Sequence, residues 1–249
     1  MSKPAQVIER DFRIFFADRF LLVIMFVNFM IDLGVSGLSL STMLKGSTLF
    51  TQYGSYFLYI APGANLITAT VASFQSGRDV WRERIIHDTQ SYLLTLPFGK
   101  SRFAFSRLFS GMIRTTVTTL PGTIVIAALY RLSFPLAMMG VLVMLLYSGA
   151  VCGLSVVAAS LASSLELFTT VRSTTQVYLS FFSTQFYPAS ILPPAVSFLS
   201  NFNPMTWAVE AFRDLQAGTV DVTLLAPLGG LSIALLATGY VFYRRTMEY

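Results

Sequence analysis

The sequence predicts an all-α polytopic membrane protein with its charges gathered at one face of the bilayer, and three observations carry that prediction. Only 12% of the 249 residues are charged and 54% are hydrophobic, whereas a soluble domain has about 25% charged residues. Six long apolar runs follow one another, most of them reaching the ~20 residues that cross a bilayer at ~1.5 Å per residue. With the N-terminus placed in the cytoplasm, 14 of the 17 Lys and Arg fall on the inner side, and only Lys45, Arg131 and Arg213 fall outside. That is a strong positive-inside bias. Both termini are therefore expected in the cytoplasm, with residues 1–249 forming one multi-pass domain of the inner (cell) membrane.

Residues 4–19 precede the first span. Ile8, Phe12, Phe15 and Phe16 line one helical face, while Glu9, Arg10, Arg13 and Asp18 occupy the rest. Three phenylalanines are costly to leave in water, so this segment is predicted to be an interfacial helix in contact with lipid headgroups. Spans are predicted over 20–41, 55–76, 104–130, 134–161, 173–187 and 222–243. The first is too long for a signal peptide and no small-x-small cleavage site follows it, so it is read as retained. The fifth is short and ends at Pro188.

Polar groups inside these runs are few. Asn28 and Asp32 lie four apart on one face of the first span. They are read first as a pair that hydrogen-bonds helices together, and second as part of a pathway. Arg114 lies at a depth similar to that of Asp32 and is expected either to pair with it or to reach toward the inner face. Cys152, the lone cysteine, sits in an apolar run, and His87 is the lone histidine, so neither a disulfide nor a metal cluster is expected within one chain.

Residues 78–102 carry eight of the chain's 29 Lys, Arg, Asp and Glu side chains. Trp81, Ile85, Tyr92, Leu93 and Leu96 fall near helical spacing, with Arg78, Arg82, Asp88 and Gln90 around the other faces. Pro97-Phe98-Gly99 stops the pattern. A short amphipathic helix over 78–97, lying at the cytoplasmic surface and open to a soluble partner, is predicted; a solvated loop is the competing reading. Gly99-Lys100-Ser101 imitates the end of a phosphate-binding loop, but Leu94 stands where that pattern requires Gly and no strand precedes it.

The outer-side stretch 188–216 is too apolar for a solvated loop, and Pro188, Pro193, Pro194 and Pro204 break it into pieces. Irregular backbone at membrane depth is tolerated only under protein cover or beside a cavity. Two short helices, about 193–201 and 205–215, are predicted to dip back into the outer leaflet and bury Ile191, Leu192, Val196, Phe198, Leu199, Phe202 and Trp207. Glu210 and Arg213, at i and i+3, are expected to bridge each other or the proline-broken backbone.

Here the residues resemble a known family, the membrane subunits of type-2 ATP-binding-cassette (ABC) exporters. Pro188, Leu192-Pro193, Asn203-Pro204-Met205-Thr206-Trp207, Glu210 and Arg213 follow that family's Leu-Pro, Asn-Pro-Leu-Thr-Tyr, acidic and Arg pattern, with conservative departures at Met205 and Trp207. Thr89, Leu93-Leu94 and Pro97 look like its cytoplasmic Gly-Thr…Leu-Leu…Pro motif, although Asp88 stands where the family prefers Gly. The resemblance implies a coupling helix over 78–97, in which Arg78, Trp81, Arg82, Glu83, Arg84 and Asp88 meet a separate cytoplasmic ABC ATPase subunit. Trp81 and Ile85 would anchor either in the ATPase groove or against neighbouring spans. It also implies a homodimer of the permease and an outer motif built on Pro188, Pro193, Asn203, Pro204, Thr206, Trp207, Glu210 and Arg213. This chain would bind no cofactor, ATP and Mg belonging to the partner.

Export of an amphipathic, drug-like or lipid-linked substrate is the leading expectation, with polysaccharide or lipid export by the same family close behind. An ion-coupled carrier would need titratable groups threaded through the spans, and Asp32 alone is well inside. A membrane enzyme would need an acid–base, nucleophile or metal constellation at one depth, which the sequence does not supply. The net charge of +5 reflects membrane topology, so no nucleic-acid partner is expected.

Overall fold

A computed structural model describes residues 3–17, 19–44, 50, 53–86 and 99–247. Every regular element among them is helical. Helix α1 (Lys3–Ala17) leads into α2 (Arg19–Ile31), which passes through a π-helical stretch, Asp32–Leu38, into the short α3 (Ser39–Met43). Then come α4 (Tyr56–Ile85), α5 (Lys100–Leu129), α6 (Phe134–Leu161) and α7 (Leu165–Phe181). Two short helices, α8 (Pro194–Asn201) and α9 (Pro204–Gln216), precede the last, α10 (Val222–Arg245).

Among the described residues, five helical stretches are long and apolar enough to cross a bilayer: Leu22–Met43, Tyr56–Ile85, Lys100–Leu129, Phe134–Leu161 and Val222–Arg245. The sixth expected run does not meet that standard. Instead of a span over 173–187, α7 starts at Leu165 and stops at Phe181 after 17 residues. Its start is displaced because Ser164 caps it, accepting from the Leu167 N–H at 3.1 Å, with Glu166 in the first turn. Its stop is set from outside the helix by Asn203, as described below.

The island at 78–102 also differs from expectation. Arg78 to Ile85 form no separate surface helix; they are the last two turns of α4. Trp81 and Ile85, read as part of an amphipathic surface helix, thus lie at the end of a rod of 30 residues, ~45 Å long at 1.5 Å per residue. Residues 87–98, including Asp88 and the Thr89, Leu93-Leu94 and Pro97 motif, lie outside the described residues, as does Asp18.

Helices α4, α5 and α6 form the centre, and α10 packs chiefly on α6. Small residues permit this closeness. A Cβ on Gly153 would sit 2.5 Å from the Leu235 backbone, and one on Gly77 2.6 Å from the Ser155 carbonyl oxygen. The core has a polar seam, as expected where helices associate without a hydrophobic drive. Asn65 of α4 donates to Thr123 Oγ1 at 3.0 Å, Thr70 and Tyr147 share a hydrogen bond at 2.7 Å, and Ser155 Oγ donates to the Ser73 carbonyl at 3.0 Å.

Two ends of the bundle can be told apart. At one end the C-terminus of α4, the N-terminus of α5, the C-terminus of α6 and the C-terminus of α10 meet; Lys100 Nζ, for example, donates to the Met247 carbonyl at 2.8 Å. We call it the charged end. The start of α4 lies at the other end, with α9 against it. Helix α7 runs antiparallel to α4 between the two, from the Phe168–Phe74 ring contact to Thr184 beside Tyr59.

Helices α8 and α9 fall close to the two predicted over 193–201 and 205–215. Their burial is uneven. Helix α9 buries Met205, Ala208, Val209, Phe212 and Leu215 against α4, α6 and α10. Ile191, Phe198, Leu199 and Phe202, expected inside, are exposed on the single chain. The eight-residue α8 turns only Ser200 fully inward, because Phe202 and Asn203 already turn the chain into α9.

Candidate functional site

The charged end is held by an ion cluster centred on buried Asp11 and Arg107. Arg107 of α5 lies between two carboxylates, 2.5 Å from Asp11 of α1 and 3.0 Å from Glu83 of α4. Arg10 completes the cluster, 2.9 Å from Asp11 and 3.5 Å from Glu83. Two cations and two anions thus hold α1, α4 and α5 together, and the cluster is neutral. Burial alone would raise the Asp11 carboxyl, but the charges and hydrogen bonds of Arg107 and Arg10 hold it below its ordinary value.

Sequence reasoning missed Asp11 and counted Arg107 only as an inner-side charge. A signal was present: Asp11 follows Ile8 by three residues and precedes Phe15 by four, so it shares their apolar face. A carboxylate on the buried stripe of a helix requires a cation from elsewhere.

The end of α4 is also fastened to α6. Trp81 is buried and its Nε1 donates to the Ala162 carbonyl at 3.1 Å. Arg84 donates to the same carbonyl at 2.7 Å and to that of Ser160. These are the orphan acceptors that every helix C-terminus leaves behind. Of the two anchorages open to Trp81, the structure has the one against neighbouring spans. Arg114 does not pair with Asp32; it reaches toward the charged end, to Asp79 Oδ2 at 2.8 Å and Ser76 Oγ at 2.9 Å, with Phe15 beneath its guanidinium. Asp32 sits half-buried in the π-helical stretch, and Asn28 is exposed on α2. Arg82, Ile85 and Ile86 point away from the bundle, while Arg78 is half-buried.

At the opposite end the Asn-Pro motif acts as a double cap. Asn203 Oδ1 accepts from the Met205 N–H at 2.9 Å, capping α9, with Pro204 at its first turn. Its Nδ2 faces the other way and donates to the carbonyls of Tyr178, Leu179 and Phe182, at 3.0–3.2 Å, closing the end of α7. Thr206 shares a hydrogen bond with Ser200 at 3.0 Å, and Trp207 Nε1 donates to the Asn201 carbonyl at 3.0 Å. Pro188 leads into a 3-10 turn, Ala189–Ile191, and Pro193 immediately precedes α8.

Arg213 carries the heaviest load of contacts. It pairs with Glu210 at 2.8 Å and donates to the carbonyls of Thr184 at 3.0 Å and Tyr59 at 3.1 Å. The Tyr59 ring lies 3.5 Å from its guanidinium carbon. Pro62 explains the neighbouring contact from α5. It has no N–H to give the Leu58 carbonyl four residues earlier, and Tyr130 OH donates there instead, at 2.9 Å.

Membrane-length helices, tied by buried ions at one end and capped by a proline-broken segment at the other, define a multi-pass helical membrane domain. More particularly, this chain belongs to the ABC-2 type transporter family, whose signature matches residues 5–217. Membership makes it the permease side of an ABC transporter, which works with an ABC ATPase. No curated protein matches the chain closely enough to count as a relative.

Two predictions arise from these contacts. Asn203→Ala uncaps two helices at once and is expected to cost ~1–3 kcal/mol, more than Thr206→Ala, while Arg213→Ala strands Glu210 and costs about as much or more. Thermal unfolding of the purified variants in detergent reads the order, and a silent Arg213→Ala would contradict the packing of α9. The second concerns pH. A carboxyl held below its ordinary value contributes stability above about pH 4, and that contribution is lost as pH falls further. Amide exchange in α1, corrected for intrinsic rate, is expected to quicken below about pH 4 in the wild type, and Asp11→Asn is expected to show fast exchange throughout.

Proposed function

We propose that this chain is the permease half of an ATP-driven exporter, acting as a homodimer, with the ATPase docked beneath the charged end. The observation that carries the reading is α4. One uninterrupted helix links residues 78–85, at the charged end, to Tyr59 and Leu58, on which Arg213 and Tyr130 bear. A push at Ile85 and Ile86 would reach the outer cap through a rod, and the Asp11–Arg107–Glu83 cluster would carry α1 and α5 along with it. Within this reading Arg78, Arg82, Ile85, Ile86 and the following residues, Asp88 among them, contact the ATPase. Trp81, Glu83 and Arg84 transmit the motion without touching it.

Helix α7 serves as the sixth crossing. Its 17 residues cover ~26 Å, and the turn that follows completes the path from the charged end to the level of Tyr59. That crossing returns both termini to the cytoplasm, in keeping with the basic residues at the charged end. Helices α8 and α9 then form the outer re-entrant cap.

The substrate is amphipathic and moves outward along α2. Val27, Ile31 and Val35 are exposed beside Asn28 and half-buried Asp32, a mixed wall that lipid would tolerate poorly. A second copy facing this wall would enclose a path apolar enough for a hydrophobic body and able to meet a cationic group. Cysteine at Val35, in a Cys152→Ala background, is expected to cross-link into a dimer of this chain; monomer alone would count against the arrangement.

Co-purification with the ATPase and dye efflux from vesicles test the rest. Arg82→Glu with Ile86→Asp is expected to lose both ATPase capture and export while unfolding normally. Asp32→Asn keeps capture and loses export of a cationic amphipathic dye. Trp81→Ala lowers stability by ~3–5 kcal/mol as well, since a large buried side chain is removed. Undiminished capture by the Arg82 and Ile86 double variant would sink the coupling assignment.

A further inference from the structure

A groove runs between α5 and α10 on the flank of the bundle. Its apolar part, about 340 Å³, is walled by Phe105, Phe109, Ile233, Leu236 and Ala237. That lies within the roughly 300–1,000 Å³ of ordinary ligand sites. Toward the charged end it continues, past Phe105 and Tyr240 which line both parts, into a hollow of about 290 Å³ bordered by Ser101 and Arg102.

The groove exists because α10 leans more closely on α6 than on α5. A Cβ on Gly239 would sit 2.9 Å from the Gly153 carbonyl oxygen, so the α6 and α10 backbones nearly touch. Against α5, α10 is held near the charged end by the Phe103–Tyr243 ring contact and by Lys100 on the Met247 carbonyl. Beyond those contacts the two helices part, and Phe105 and Phe109, stacked with their planes 9° apart, form one wall of the gap.

We propose that this groove binds one anionic phospholipid from the leaflet on the charged side, with an acyl chain along Phe105, Phe109 and Ile233 and the phosphate at Arg102. Two features select that occupant. The groove is apolar toward the middle of the bundle and is bordered by Ser101, Arg102 and Ser106 at its charged end, the same order as a phospholipid standing in that leaflet. Arg102 is exposed at the mouth, and no described carboxylate is paired with it, so the charge there complements an anionic headgroup. The proposal requires only that the chain spans a membrane, and it is independent of the transported substrate and of the ATPase.

Native mass spectrometry of the purified full chain in detergent, titrated with phosphatidylglycerol or with phosphatidylcholine of the same acyl chains, tests it. One phosphatidylglycerol per chain is expected to bind in preference to phosphatidylcholine. Arg102→Gln, a surface change that leaves the fold intact, should weaken phosphatidylglycerol about fivefold and leave phosphatidylcholine unchanged. Ala237→Phe fills the groove and should abolish the preferred site, whereas Phe134→Leu, at the other end of the bundle, should not. Equal retention of the two lipids by the wild type, or phosphatidylglycerol binding untouched by Arg102→Gln, would overturn the proposal.

Discussion

Guanidinium groups on backbone carbonyls, at both ends of α4, are the interaction on which the rest of this protein depends. Arg84 closes the C-terminus of α6 at the charged end, and Arg213 closes the turn after α7 against Tyr59 at the other. In water such carbonyls would simply be hydrated. At or near membrane depth each must find a donor within the protein, and an arginine satisfies several at once. Both arginines join elements distant in sequence, so the fastening of the bundle is also the statement of its topology.

The same need for donors bears on the proline-rich segment 188–216. Where a helix ends beside Pro204, or where Pro62 withholds an N–H, a named side chain answers. Asn203 serves two helix ends, Tyr130 serves the carbonyl released by Pro62, and Trp207 serves Asn201. A segment broken into short pieces becomes a fixed cap because its polar groups are used. Its apolar face on α8, by contrast, remains uncovered in the single chain.

Buried charge is handled differently at the charged end. There the cations and anions cancel within one cluster, which avoids the large cost of an isolated ion at low dielectric. Such a cluster need add little net stability, but removing any member is expensive. It therefore fixes the α1 helix to α4 and α5.

The sequence by itself determined that the chain is a helical membrane protein, where most of its spans lie, and that 188–216 folds into two short helices. Hydropathy, charge bias and proline spacing are local quantities, and the bilayer reads them directly. It also marked Glu210 and Arg213 as a pair. It could not determine that the island at 78–85 continues α4, because an amphipathic period looks alike whether the face is covered by protein or by solvent. Nor could it pair Arg114 with Asp79 in place of Asp32, find the Asp11–Arg107–Glu83 cluster, or foresee the short α7. Those outcomes depend on which helices stand side by side, and that is decided by close approach at Gly77, Gly153 and Gly239 and by carbonyls that only a distant arginine, tryptophan or asparagine can reach.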